Sequence, residues 1–113
     1  MTQFLIAIHR PLDYDPAIAE DTVMTQEIED LNKAMRTAGI IVFVGGLTAP
    51  DCARSIKLEA NGKILVNKGL YLGVAEHVGG FWVIETTSLD NAVYWGEKAA
   101  IACRAPVEVR PFH

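Results

Sequence analysis

The sequence predicts an α+β domain of the ferredoxin-like, split βαβ type with an inserted β-hairpin. Three observations carry that expectation. Apolar runs too short for helices recur at residues 4–8, 40–44 and 81–84. Two longer stretches repeat apolar residues at helical spacing, one between the first two runs and one after the third. An Asn61-Gly62 pair, which tolerates the positive φ of a tight turn, separates two further strand-like segments.

Taken in order, Phe4-Leu5-Ile6-Ala7-Ile8 is apolar at every position and reads as a strand buried on both faces, closed by His9. Residues 10–15 are polar. Asp15-Pro16 then supplies an N-cap and a first-turn proline for a helix running to about Ala38. Met24, Ile28, Leu31, Met35 and Ala38 form its packing face, and Glu27, Glu29, Asp30, Lys33 and Arg36 its solvated one. Gly39 suits a left-handed C-cap before a second strand at residues 40–44, which Gly45-Gly46 ends. The hairpin occupies residues 54–58 and 63–66. Residues 68–78 show no clear period and read as a loop or short helix, with Gly79-Gly80 opening the strand at 81–85. Thr87-Ser88-Leu89-Asp90 fits a capping box for a helix whose stripe is Leu89, Ala92, Val93, Gly96, Ala99, Ala100 and Cys103. Residues 106–110 alternate at period two, placing Val107 and Val109 on one face and Glu108 and Arg110 on the other.

At 113 residues, half of them hydrophobic, the chain is expected to form one domain over residues 1–113. A net charge of −4 argues against a nucleic-acid partner, which calls for a basic stripe. No apolar run approaches the roughly 18 residues of a membrane span. Met1-Thr2-Gln3 leads straight into a strand, so no signal peptide is expected and the chain is placed in the cytoplasm. Cys52 and Cys103 are far apart, with neither CxxC spacing nor a histidine pair, and read as reduced thiols without metal. Phosphate loops, GxGxxG, HExxH and GxSxG are all missing, and no cofactor is expected. Two helices cover only one face of such a sheet. Strands apolar on both faces then need a second cover, most simply the same sheet of another copy, and this predicts a homodimer.

Several strings resemble the YCII-related family, specifically its DGPF branch. They are the apolar first strand, Arg36-Thr37-Ala38-Gly39, Gly45-Gly46-Leu47-Thr48-Ala49-Pro50, Gly79-Gly80-Phe81 and Val107-Glu108-Val109-Arg110-Pro111. Where the branch carries Asp-Gly-Pro-Phe, this chain reads Lys68-Gly69-Leu70-Tyr71, with Glu76 surviving downstream. The resemblance implies a dimeric α+β barrel with clefts lined by strand residues and the connecting loop. It also implies a His-Asp dyad in some members, whose histidine position falls near Ile28 here, so that dyad does not carry over.

The residues themselves nominate His9, Asp13 and Glu76 as catalytic candidates. His9 ends a core strand beside a carboxylate-bearing loop, where acid-base work is feasible. Lys68, Tyr71 and His77 are nominated as ligand contacts in the loop before the Gly79-Gly80 pair. Arg110 is nominated as an anchor for a carboxylate, although pairing with Glu108 is the simpler expectation for it. Phe81 and Trp82 alternate, so one should meet the helices and the other the barrel interior. The functional expectation is a cofactor-independent enzyme or binder acting on a small organic acid or lactone-like compound. The alternative is a non-catalytic dimeric interaction or regulatory module.

Overall fold

In the computed structural model, which describes residues 1–113, the chain runs β1 (Thr2–Pro11), α1 (Pro16–Ala19), α2 (Thr22–Thr37), β2 (Ile41–Gly46), a 3-10 turn (Pro50–Cys52), β3 (Arg54–Leu58), β4 (Ile64–Lys68), β5 (Glu76–Thr86), α3 (Leu89–Cys103) and β6 (Val107–Pro111). The four long strands form one antiparallel sheet in the order β2-β5-β1-β6, with β3 and β4 paired apart from it. Because β1 and β2 both run antiparallel to β5, they are parallel to each other with β5 between them. This is the split βαβ arrangement of a ferredoxin-like α+β fold.

Strand alternation sorts the side chains. Phe4, Ile6 and Ile8 of β1 share a face with Trp82 and Ile84 of β5, and all five are buried beneath α2 and α3. Met24, Leu31 and Met35 from α2 and Ala92, Ala99, Ala102 and Cys103 from α3 close that core. Small residues on α3 let it sit low over β6: a Cβ on Gly96 would come within 2.6 Å of Val109 Cγ2. On the opposite face, Leu5, Phe81 and Val83 are half-buried, and Phe43 at the β2 edge is 53% exposed. No helix lies over them. Trp82 is therefore the aromatic that meets the helices, and Phe81 the one that faces away.

Several boundaries differ from the sequence expectation. The single helix expected from residue 16 is two: the Asp21 carboxylate accepts the Met24 N–H at 2.8 Å and starts α2 afresh, while Asp15 caps α1 through Ala17 N at 3.0 Å. Ala38 is its exposed C-cap rather than a packing residue. The cap of α3 is Ser88, which accepts from Asn91 N at 3.1 Å, and Leu89 and Val93 of the expected stripe are exposed. β2, apolar up to its two closing glycines, starts at Ile41 and is an edge strand with Val42 and Phe43 exposed. β1 does not stop at His9, and β5 begins at Glu76, so Arg10 and the Glu76-His77 pair lie in strands rather than loops. The hairpin turn takes positive φ only at Gly62 (84°) and is closed by Gly62 N to Glu59 O at 3.0 Å, a type I turn with a following left-handed glycine.

The close approach of α3 to β6 is testable. Gly96→Ala should lower unfolding free energy by about 1–3 kcal/mol, read by urea denaturation. Adding Val109→Ala should recover part of that loss, and additive effects would show that the two positions do not press on each other.

Candidate functional site

At the end of the sheet where β1 and β2 finish and β5 begins, the helix layer does not close. Between α1, the start of α2 and the segment after β2 lies a cavity of about 390 Å³. Its apolar floor is built from Ile8, Ile28, Val44 and Trp82, and its polar groups are Arg10, Tyr14, Glu20 and His77. The whole string Gly45-Gly46-Leu47-Thr48-Ala49-Pro50 forms one wall. Trp82 is held by donating its indole N–H to Asn32 Oδ1 at 2.7 Å, so the floor is rigid.

Arg10 is the one arginine or lysine that lines the cavity. It is the penultimate residue of β1 and is only 8% exposed. A buried guanidinium needs partners. One is the carbonyl of Cys103, which accepts from Nη1 at 2.6 Å. That carbonyl belongs to the last turn of α3, where unpaired C=O groups and the negative end of the helix dipole favour a cation. The other is the ring of Tyr14, whose centroid lies 4.2 Å from Cζ. No carboxylate reaches Arg10 at ion-pair distance, its other N–H groups have no partner within the chain, and the residue lines the cavity. Gly79 makes room for this side chain, since a Cβ there would stand 2.6 Å from Arg10 Cγ.

Tyr14 is itself fixed by donating its hydroxyl proton to Glu20 Oε2 at 2.8 Å. Burial, reinforced by this hydrogen bond, pushes its pKa up to about 12, so the phenol stays protonated. His77 is the strand partner of Arg10 across β1 and β5. Its Nδ1 lies 3.1 Å from the Val78 carbonyl, which only accepts, so Nδ1 is the donor of that contact and Nε2 is the acceptor nitrogen of the neutral ring. The cavity therefore offers a fixed cation, an apolar floor, one imidazole and the Glu20 carboxylate, whose Oε2 is taken up by the Tyr14 hydroxyl. That combination suits a compact molecule bearing a carboxylate on an apolar body.

Only one of the nominated residues, His77, lines this cavity. His9, Asp13 and Glu76 do not gather: no hydrogen bond or ion pair joins them, and Asp13 and Glu76 are exposed. His9 stands on the uncovered face, next to Glu108. Lys68 ends β4 and Tyr71 lies in the following loop, both exposed and away from the cavity. Arg110 is taken up by its own strand neighbour, donating to both Glu108 oxygens at 2.9 Å, which holds that carboxyl below the usual range. Arg10, Tyr14 and Glu20 were missed. An arginine two residues past an apolar strand run, followed by an aromatic, was the available signal.

The packing around Arg10 has a pH signature. Desolvation pushes the Cys103 thiol from 9.0 up to about 11, despite the nearby Arg10 charge, and Tyr14 from 10.0 to about 12. Both pKa values are raised on folding, so the stability linked to them is complete below pH 9 and is lost as pH rises through these windows. The melting temperature should fall by several degrees between pH 9 and 11, and Cys103→Ala should flatten that fall. An unchanged slope in the variant would show that thiol burial does not set it.

No group of three or more His, Cys, Asp or Glu side chains converges in the structure, and no helix is long and apolar enough to cross a membrane. No protein-family model matches the chain, and no curated protein matches it.

Proposed function

We propose that this chain binds, and in the fullest form of the reading transforms, a small organic acid in the Arg10 cavity, without metal or organic cofactor, as a homodimer. The observation that carries the reading is Arg10: a buried guanidinium held by a helix-end carbonyl and a tyrosine ring, with N–H groups left over, in the lining of a cavity with an apolar floor. Desolvated charge without a counter-ion is costly, and a ligand carboxylate is the natural complement. His77 Nε2 is the group there that could accept a proton from such a ligand.

Membership of the YCII-related family, DGPF branch, belongs to the same proposal. It is supported by the position of two resembling strings, residues 45–50 and 79–81, around one cavity, and by Ile28 on its floor where other members would place a histidine. Homodimerisation is supported by the uncovered sheet face, where Leu5, Phe43, Phe81 and Val83 form an apolar centre rimmed by Gln3, Glu85, Glu108 and Arg110. Two free thiols fit a reducing compartment such as the cytoplasm.

Benzoate, phenylacetate and similar acids should raise the melting temperature, whereas their methyl esters should not. Arg10→Met should weaken binding by at least about tenfold, and His9→Ala and Glu76→Ala should leave it unchanged. Since Arg10→Met also frees the Cys103 carbonyl, the acid-ester comparison on the unaltered protein decides the matter: equal shifts, or none across a broad acid panel, end this reading. For the dimer, Phe43→Arg should give monomers by analytical ultracentrifugation, and a monomeric unaltered chain would remove it.

A further inference from the structure

The β3–β4 hairpin forms a sheet of its own, apart from the four-stranded sheet. Its strands pair only with each other. The molecule measures 49 × 37 × 18 Å, and its radius of gyration of 16.0 Å exceeds the roughly 13 Å of a compact domain this long. The ribbon is two-faced. Cross-strand pairs Ile56–Val66 and Leu58–Ile64 stack on one face, continuing from Arg54–Lys68 at the base, while Ser55–Asn67 and Lys57–Leu65 occupy the other. Ile56, Leu58, Ile64 and Val66 are 66, 67, 60 and 57% exposed. Four contiguous aliphatic side chains on a paired ribbon are a surface that calls for a partner.

Charge indicates which partner. Residues 54–68 hold four basic residues and one acidic, a net charge of +3, in a chain whose total is −4. Residues 11–32 are the complement: seven carboxylates and no basic residue, with Leu12, Ile18 and Val23 exposed among them. Arg104 meets only Asp21 and Glu27 of these. The ribbon and the acidic segment leave the same end of the sheet, yet they do not meet within one chain. We infer that the basic, apolar ribbon of one copy docks on the acidic α1–α2 segment of a second copy, a contact made twice by two-fold symmetry. The inference takes its stoichiometry from the homodimer reading but assigns a different surface from the sheet face.

The test places a photoreactive residue on the ribbon, Ile56→p-benzoylphenylalanine, in a mixture of isotopically light and heavy full-length chains. Light–heavy cross-links into residues 11–32 are expected. Cross-links elsewhere, only within a chain, or none overturn the inference. In parallel, Leu58→Asp with Ile64→Asp should weaken dimerisation at least tenfold, and added salt should weaken it in the unaltered protein, while the organic-acid shift in melting temperature persists. If Phe43→Arg gives monomers and the ribbon variant does not, the ribbon inference fails and the sheet-face reading stands. Sedimentation of a monomeric chain with phosphatidylserine-containing vesicles, lost in the ribbon variant, would assign the ribbon to a lipid surface and overturn the inference.

Discussion

Everything in this molecule follows from a sheet with two central strands that are apolar on both faces and only one layer of helices to cover them. β1 and β5 lie side by side, and the even-numbered residues of their central pairs, from Phe4 and Ile84 to Ile6 and Trp82, take all the helical cover. That choice buries the largest side chains in one cluster and leaves Leu5, Phe81 and Val83 on the other side with only each other and Phe43. Hydrophobic burial scales with area removed from water. The uncovered face is thus an unused part of the same driving force, which is the physical ground for assigning it to a second copy.

The helix layer also ends before the sheet does. The break at Glu20-Asp21 separates α1 from α2, and Pro16 and Glu20 beside it line the cavity. Into it comes Arg10, whose charge is accommodated by features that each belong to a different element: the final carbonyls of α3, the ring of Tyr14 from the β1–α1 loop, and the missing side chain of Gly79 on β5. None of these alone justifies burying a guanidinium. Together they hold it in place without neutralising it, which is the condition for binding an anion from outside. Glu20, which lines the same cavity, accepts the Tyr14 hydroxyl proton and makes no ion pair with Arg10.

Much of the fold was legible because it is written locally. Asp15-Pro16, Gly39 and Gly62 act through caps, left-handed backbone and turn chemistry that extend only a few residues, and the apolar runs mark strands by length alone. The ion pair of Glu108 with Arg110 was legible for the same reason, being an i, i+2 pair on one face of a strand. The extra cap at Asp21 was equally local but hidden, because Met24 and Ile28 continue the apolar spacing and conceal the interruption at Glu20-Asp21.

The cavity was not legible, and the reason lies in one irregularity of strand pairing. Ile8 pairs with Gly80, but His9 pairs with Val78, so β5 carries an additional residue at Gly79. Beyond that bulge the alternation in β5 is inverted. Counting back from Trp82 at period two puts Val78 on the helix face, whereas the structure puts His77 there, opposite Arg10. A bulge depends on which strand is the partner and in what register, and both are set by contacts between residues some seventy positions apart. The elements, their order and the surplus of apolar surface could be read along the chain, because propensity, capping and periodicity are short-range. Which polar side chains meet could not be read that way, because strand register and the gap in the helix layer beside α1 arise from contacts distant in sequence.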